Sequence, residues 1–163
     1  MIRRVLGAVA ALAGVATLTG CTPMVSMNPS PAATDPACAA IVVRLPQALG
    51  TAQKRETDAQ GTAAWGDPPA VTLTCGVTPP GPTTDVCITV GGVDWIERDQ
   101  LTRTTPRYVL TTFGRTPATQ VVIEAKGAVS SNDALSGISD AVAQAVPTAS
   151  RHCIAVPAPS SSP

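Results

Sequence analysis

Among side chains able to do chemistry, the sequence carries five cysteines and a single histidine. A Ser-His-Asp or Cys-His device needs an imidazole beside its nucleophile. The one imidazole, His152, adjoins Cys153 near a Pro-rich end and reads as a solvated surface residue. No Gly-x-x-x-x-Gly-Lys-Ser/Thr or Gly-x-Gly-x-x-Gly run is present, so no phosphate-cradling loop or cofactor is indicated. The densest acidic stretch is Gly91–Asp99, where Asp94, Glu97 and Asp99 surround Trp95. Carboxylates beside an indole could bind a sugar, or supply acid and base for glycoside cleavage, which needs two carboxyls facing each other across a cleft. The plainer reading is a turn with Trp95 packed inward and the charges solvated, because two Trp, one Tyr and one Phe are all the aromatics the core has. These residues assemble no catalytic constellation.

Cys21 stands apart from the other four thiols. Arg3 and Arg4 precede a fourteen-residue run, Val5 to Leu18, of Ala, Val, Leu, Gly and Thr, and no acidic residue occurs before Asp35. That is the charged and apolar order of a secretory signal, too short to span a bilayer comfortably. The run ends Leu18-Thr19-Gly20-Cys21, which resembles the bacterial lipobox, whose cysteine is joined to diacylglycerol after export. Residues 1–20 therefore read as a lipoprotein signal and Cys21 as the lipidated residue. Two or three acyl chains on one residue hold a protein to a membrane where one chain would not, since each buried methylene contributes about 0.8 kcal/mol. Loss of Arg3 and Arg4 with the signal leaves nine basic against eleven acidic residues, so the mature chain has little electrostatic grip on anionic lipid.

The elements must position what remains. Residues 21–37 hold Pro23, Pro29, Pro31 and Pro36 and read as an extended tether able to span up to ~50 Å. Residues 154–163 read as a disordered Pro/Ser tail. Between them, residues 38–153 suffice for one modest core. Asp35-Pro36 is a helix start, and Cys38, Ile41, Val42, Leu45 and Leu49 fall on one helical face, with Pro46 ending or kinking the helix near Leu45. Lys54 to Asp58 reads as charged and exposed. Alternation predicts strands at 70–77, 86–90, 108–113 and 120–124, with Gly114-Arg115-Thr116-Pro117 joining the last two as a hairpin. Ser131 or Asn132 would cap a second helix with a Leu135, Ile138, Val142 stripe, stopped by Pro147. Strands grouped between two helices predict an α+β domain: an antiparallel sheet of about four strands with two flanking helices, in the order helix, strands, helix.

Export puts Cys38, Cys75, Cys87 and Cys153 in an oxidising space, where an even set reads as disulfides. Cys75 shares a face with Leu73, whereas Cys87 opposes Ile88, so in one sheet their sulfurs point to opposite sides. Cys38 lies on the apolar stripe that should pack on the face of Cys75. The expected pairs are Cys38–Cys75 and Cys87–Cys153. Without a Cys-x-x-Cys spacing, a zinc or redox site is a poor alternative, and no metal is expected.

Eleven basic against eleven acidic residues, with 13% charged, argue against a nucleic-acid partner. At 44% hydrophobic the chain is too apolar for a disordered protein of the low-hydropathy kind. Trp65-Gly66-Asp67-Pro68-Pro69 is a rigid loop that would cap the sheet or preorganise a binding edge at little entropic cost.

Ala64-Trp65-Gly66-Asp67-Pro68-Pro69, Cys75-Gly76-Val77, Val93-Asp94-Trp95 and Thr111-Thr112-Phe113-Gly114-Arg115 together resemble the domain-of-unknown-function 3515 family, over roughly residues 38–147. The resemblance implies a small exported, often lipid-anchored actinobacterial protein with one domain, and it confers no activity, ligand or catalytic residue. The expected role is a non-catalytic module on the outer face of the cytoplasmic membrane that binds an envelope protein or cell-wall component. Its contact surface would carry Trp65, Asp67, Asp94, Trp95 and Arg115. The alternative is a small glycan-acting hydrolase using Asp94, Glu97 or Asp99.

Overall fold

The computed structural model describes residues 23–101, 106–147 and 149–154, with the side chains of 99–101 excepted. Cys21 and the signal-like run thus lie outside the described residues. The first helix, α1 (Pro36–Val42), begins where Asp35 accepts the Ala37 N–H at 2.8 Å and Pro36 occupies the first turn. It stops at Val42, earlier than the apolar spacing predicts. Pro46 has no N–H for the Val42 carbonyl and its ring would clash there; Lys54 Nζ donates to that carbonyl instead, at 3.1 Å. Leu45 and Leu49 still reach the core, Leu45 from a turn and Leu49 from a strand.

Eight strands follow, not about four: β1 (Ala48–Leu49), β2 (Ala52–Arg55), β3 (Thr62–Trp65), β4 (Val71–Val77), β5 (Val86–Val90), β6 (Val93–Leu101), β7 (Pro106–Thr112) and β8 (Ala118–Glu124). The four that alternation predicts are β4, β5, β7 and β8. The others lack that signal for identifiable reasons. β1 has two residues, β2 is Ala-Gln-Lys-Arg, and β3 is rich in Ala, a weak strand former. In β6, Ile96 breaks the alternation of Val93 and Trp95, and the charges imitate a turn. Lys54 and Arg55 accordingly lie half-buried in the sheet rather than on an exposed charged loop.

The strands form one antiparallel sheet in the order β1-β2-β3-β4-β8-β7-β6-β5. All neighbours but β4 and β8 are consecutive in the chain. The Pro-rich segment 78–85 therefore carries the chain from β4 past three strands to the far edge. That is about 19 Å at normal strand spacing, within reach of eight extended residues at about 3 Å each. The last helix, α2 (Ser131–Ala145), is capped by Ser130, whose hydroxyl accepts the Asp133 N–H at 3.1 Å, one residue before the expected cap.

α1 and α2 pack on each other, and α2 contacts β1, β5, β6 and β8. Between helices and sheet lie Ile41, Leu73, Trp95, Leu110, Val121, Ile123, Leu135 and Ile138, all nearly or wholly buried. Thr72, Thr74, Thr111 and Gln120 occupy the opposite face, the polar side expected of an antiparallel sheet covered once. Cys38 of α1 pairs with Cys75 of β4, Cα atoms 5.5 Å apart, and Cys87 of β5 pairs with Cys153, 6.1 Å apart. The first pair ties α1 to the sheet inside the core; the second fastens the C-terminal segment to the sheet's far edge.

The segment expected to be a free tether is docked from Pro23 onward. Val25 bridges Thr57, with Val25 N–H donating to Glu56 O at 2.8 Å. Met27 N–H donates to Asp58 Oδ1 at 2.8 Å, Ala32 N–H to Gly76 O at 3.2 Å, and Ala33 is buried. At Gly76, with φ of 87°, an added Cβ would run into the Ala32 backbone. Four prolines stiffen the segment, but backbone pairing holds it to the domain.

Candidate functional site

The antiparallel alternation of β6 sends Trp95 toward the helices and Asp94 to the other face. Trp95 is wholly buried and its indole N–H donates to Ser139 Oγ of α2 at 3.0 Å. Trp65, at the end of β3, is equally buried and donates to Pro46 O at 3.0 Å. Both indoles are therefore core residues with satisfied donors, and neither is open to a ligand. Ser139, invisible as a partner in the sequence, is the polar gap in the stripe between Leu135 and Val142.

Asp94 is buried, against the expectation of solvated charges. Its Oδ1 accepts Thr89 Oγ1–H at 2.6 Å, and its Oδ2 lies 3.0 Å from the Cys153 N–H and 3.2 Å from His152 Nδ1. Burial alone would raise its pKa; the bonds from Thr89, Cys153 and His152, with the charge of His152, outweigh that and hold the carboxyl below the ordinary carboxylate range. His152 itself is largely exposed, its side chain 72% accessible.

Arg115, in the β7–β8 turn, is also buried. Its guanidinium donates to Val146 O at the end of α2 and to Gly92 O in the β5–β6 turn, at 2.9 Å for the latter. A cation suits a helix C-terminus, where orphan carbonyls carry partial negative charge. Burial lowers its pKa and the nearby Asp94 opposes that. Beside it, Gly114 O accepts Ser150 N–H at 2.6 Å and Ser150 Oγ–H at 3.0 Å. Gly114 has φ of 70°, and a Cβ there would collide with the Arg151 backbone. The chain after α2 is thus strapped across two turns by Asp94, Arg115 and Gly114. These groups are engaged in holding structure.

The five residues expected on one contact surface do not form one. Trp65, Trp95 and Arg115 are buried, and Asp94 lies under the C-terminal segment. Asp67 is exposed, with a side chain 78% accessible, and pairs with Arg55 at 3.1 Å. It sits in the β3–β4 turn, at the other end of the sheet from Asp94 and three strands removed. The carboxylates fare similarly: Glu97 is three positions along β6 from Asp94 and so on the opposite face of the sheet. The side chain of Asp99 lies outside the described residues.

What the sheet order does create is a groove of about 870 Å³ along the outer side of β5, walled by Val86, Thr89, Ile96, Phe113, His152 and Ile154. Val86 is 61% exposed and Ile154 91%. β5 is the terminal strand, so one side of its backbone has no ladder partner among the described residues. No sequence signal marks this site: Val86 alternates with Ile88 and Val90 as an inward residue would. Among the described residues no helix is long and apolar enough to cross a membrane.

The family model described as protein of unknown function (DUF3515) matches residues 4–151, the family whose motifs the sequence resembles. No curated protein and no solved structure matches the chain.

Proposed function

Because the chain belongs to the DUF3515 family, whose function is unknown, its role must be read from its own residues, and we propose that it is a lipid-anchored envelope protein whose domain is a non-catalytic binding module. It is exported, held by lipid on Cys21 to the outer face of the cytoplasmic membrane, and presents the β5 edge to an envelope partner. The observation that carries the binding role is the position of β5: a terminal strand flanked by an apolar-walled groove, with Val86 and Ile154 exposed at its rim. An edge strand of this kind accepts an extended segment through main-chain hydrogen bonds, while the adjoining pockets choose its side chains. The partner class is accordingly a protein with an extended segment, rather than a nucleic acid, and no cofactor is required.

The alternative, glycan hydrolysis, finds less support. Asp94 spends its lone pairs on Thr89, Cys153 and His152, and Glu97 does not face it. A photo-crosslinking residue at Val86, compared with one at the exposed Lys126 in intact cells, tests the binding reading. Adducts with a discrete protein at position 86 and none at 126 are expected; the reverse pattern overturns the assignment of the β5 edge.

A further inference from the structure

The lipid reading of Cys21 combines with the docked segment to fix how the domain meets the bilayer. Cys21 is two peptide units before Pro23, so its Cα lies within about 7.6 Å of the Pro23 Cα whatever the backbone does. Pro23 is not at the end of a loose tether. Its carbonyl accepts Arg55 Nη2–H at 2.7 Å, and the same guanidinium donates to Gly66 O at 3.2 Å and pairs with Asp67. Arg55 is thereby clamped between the incoming chain and the β3–β4 turn, its side chain only 10% accessible. Val25 and Met27 continue the attachment along Glu56, Thr57 and Asp58.

We propose that the domain sits directly on the membrane, with the outer end of β2 and the β3–β4 turn against the lipid headgroups, and not on a stalk. The inference rests on the lipid-anchor reading. The occupant of this face is the bilayer surface, because an acyl-bearing residue within two peptide units of Pro23 leaves no length for a spacer. Met24 is 61% exposed beside the anchor and supplies an apolar side chain at that boundary. Arg55 on this face is paired with Asp67, and the acyl chains carry the contact without requiring anionic lipid. The sheet order then sets the other side of the molecule. β5 lies six strand spacings from β2, roughly 29 Å along the sheet, so the β5 groove is far from the point of attachment.

The test uses the full lipidated chain in phosphatidylcholine vesicles carrying an acceptor dye on the headgroups. Donor dyes are placed singly through Gln53→Cys, exposed on β2, and Asp140→Cys, exposed on α2 beside Gly91 of the β5–β6 turn. Transfer from position 53 should exceed that from 140 at least about twofold, given the width of the sheet. The contrast should persist in high salt and in the absence of anionic lipid. It should shrink in Arg55→Ala and in Asp58→Ala, which free the segment at two separate points without touching the core. Equal transfer from both positions on bound protein overturns the direct seating while leaving the anchor reading intact. Failure of the lipidated chain to bind vesicles, or an intact mass showing no acyl groups on Cys21, overturns the anchor reading and this placement with it.

Discussion

Asp94 Oδ2 accepts the backbone N–H of Cys153 at 3.0 Å, joining the start of β6 to a residue 59 positions later in the chain. With the Cys87–Cys153 pair beside it, that bond makes the C-terminal segment part of the domain instead of an appendage. Arg115 and Gly114 hold the same segment from the neighbouring turn.

Removing the carboxylate should leave the Thr89 hydroxyl and the Cys153 N–H without their acceptor. Asp94→Ala is expected to cost about 1–3 kcal/mol, the range for leaving buried hydrogen-bonding groups unsatisfied. Chemical denaturation measures the loss, and hydrogen exchange at residues 149–154 should rise ahead of global unfolding.

The acid limb of stability should carry the same residue. A carboxyl held below its ordinary range in the folded state stabilises the fold above the unfolded pKa, near ~3.9, and that contribution disappears as pH falls through the folded value. The stability gap between the native chain and Asp94→Asn should therefore be constant from neutral pH to about pH 4 and narrow below it. A gap that stays constant to pH 2 would show that the charge is irrelevant.

Gly114→Ala tests the closeness of the segment. The added methyl meets the Arg151 backbone, and Ala is strained at a φ of 70°. A loss of roughly 1–3 kcal/mol is expected from the conformation alone. Thermal melts should show it, with faster proteolysis near Arg151.

Trp95→Phe should behave as a core change, not a binding change. It removes the bond to Ser139 and part of the ring volume, at an expected cost of about 2 kcal/mol. Melting temperature should fall while crosslinking from Val86 is retained; unaltered stability with lost crosslinking would return Trp95 to the contact surface.

On the proposed lipid anchoring, Cys21→Ala should release the chain from the membrane without affecting its fold. Fractionation reads this directly. A variant that still pellets quantitatively with membranes removes the lipid from the account.

Much of the sheet was legible because alternation in Val71-Thr72-Leu73-Thr74-Cys75 or Val86-Cys87-Ile88 reports a strand with one dry face. The same parity argument favours Cys38–Cys75 and Cys87–Cys153 over the other pairings. It fails in β2, β3 and β6, where Lys54, Ala63 and Glu97 become strand residues because a neighbouring ladder takes up their backbone groups, not because of intrinsic preference. It also misplaces the proposed contact surface, since one-dimensional proximity of Trp to Asp says nothing about which face or end of a sheet each occupies.

Local chemistry was thus sufficient for helix starts at Asp35 and near Ser130, for four strands and for the α+β class. These depend on periods of two and 3.6 residues and on capping groups, which act over a few positions. Pairing β4 with β8 was settled only in three dimensions, and with it came the edge position of β5, the burial of Asp94 and Arg115, and the docking of Pro23 to Ala33. Each of these joins residues tens of positions apart, and such contacts follow from which surfaces can be buried together, a property of the packed chain and not of any short stretch of it.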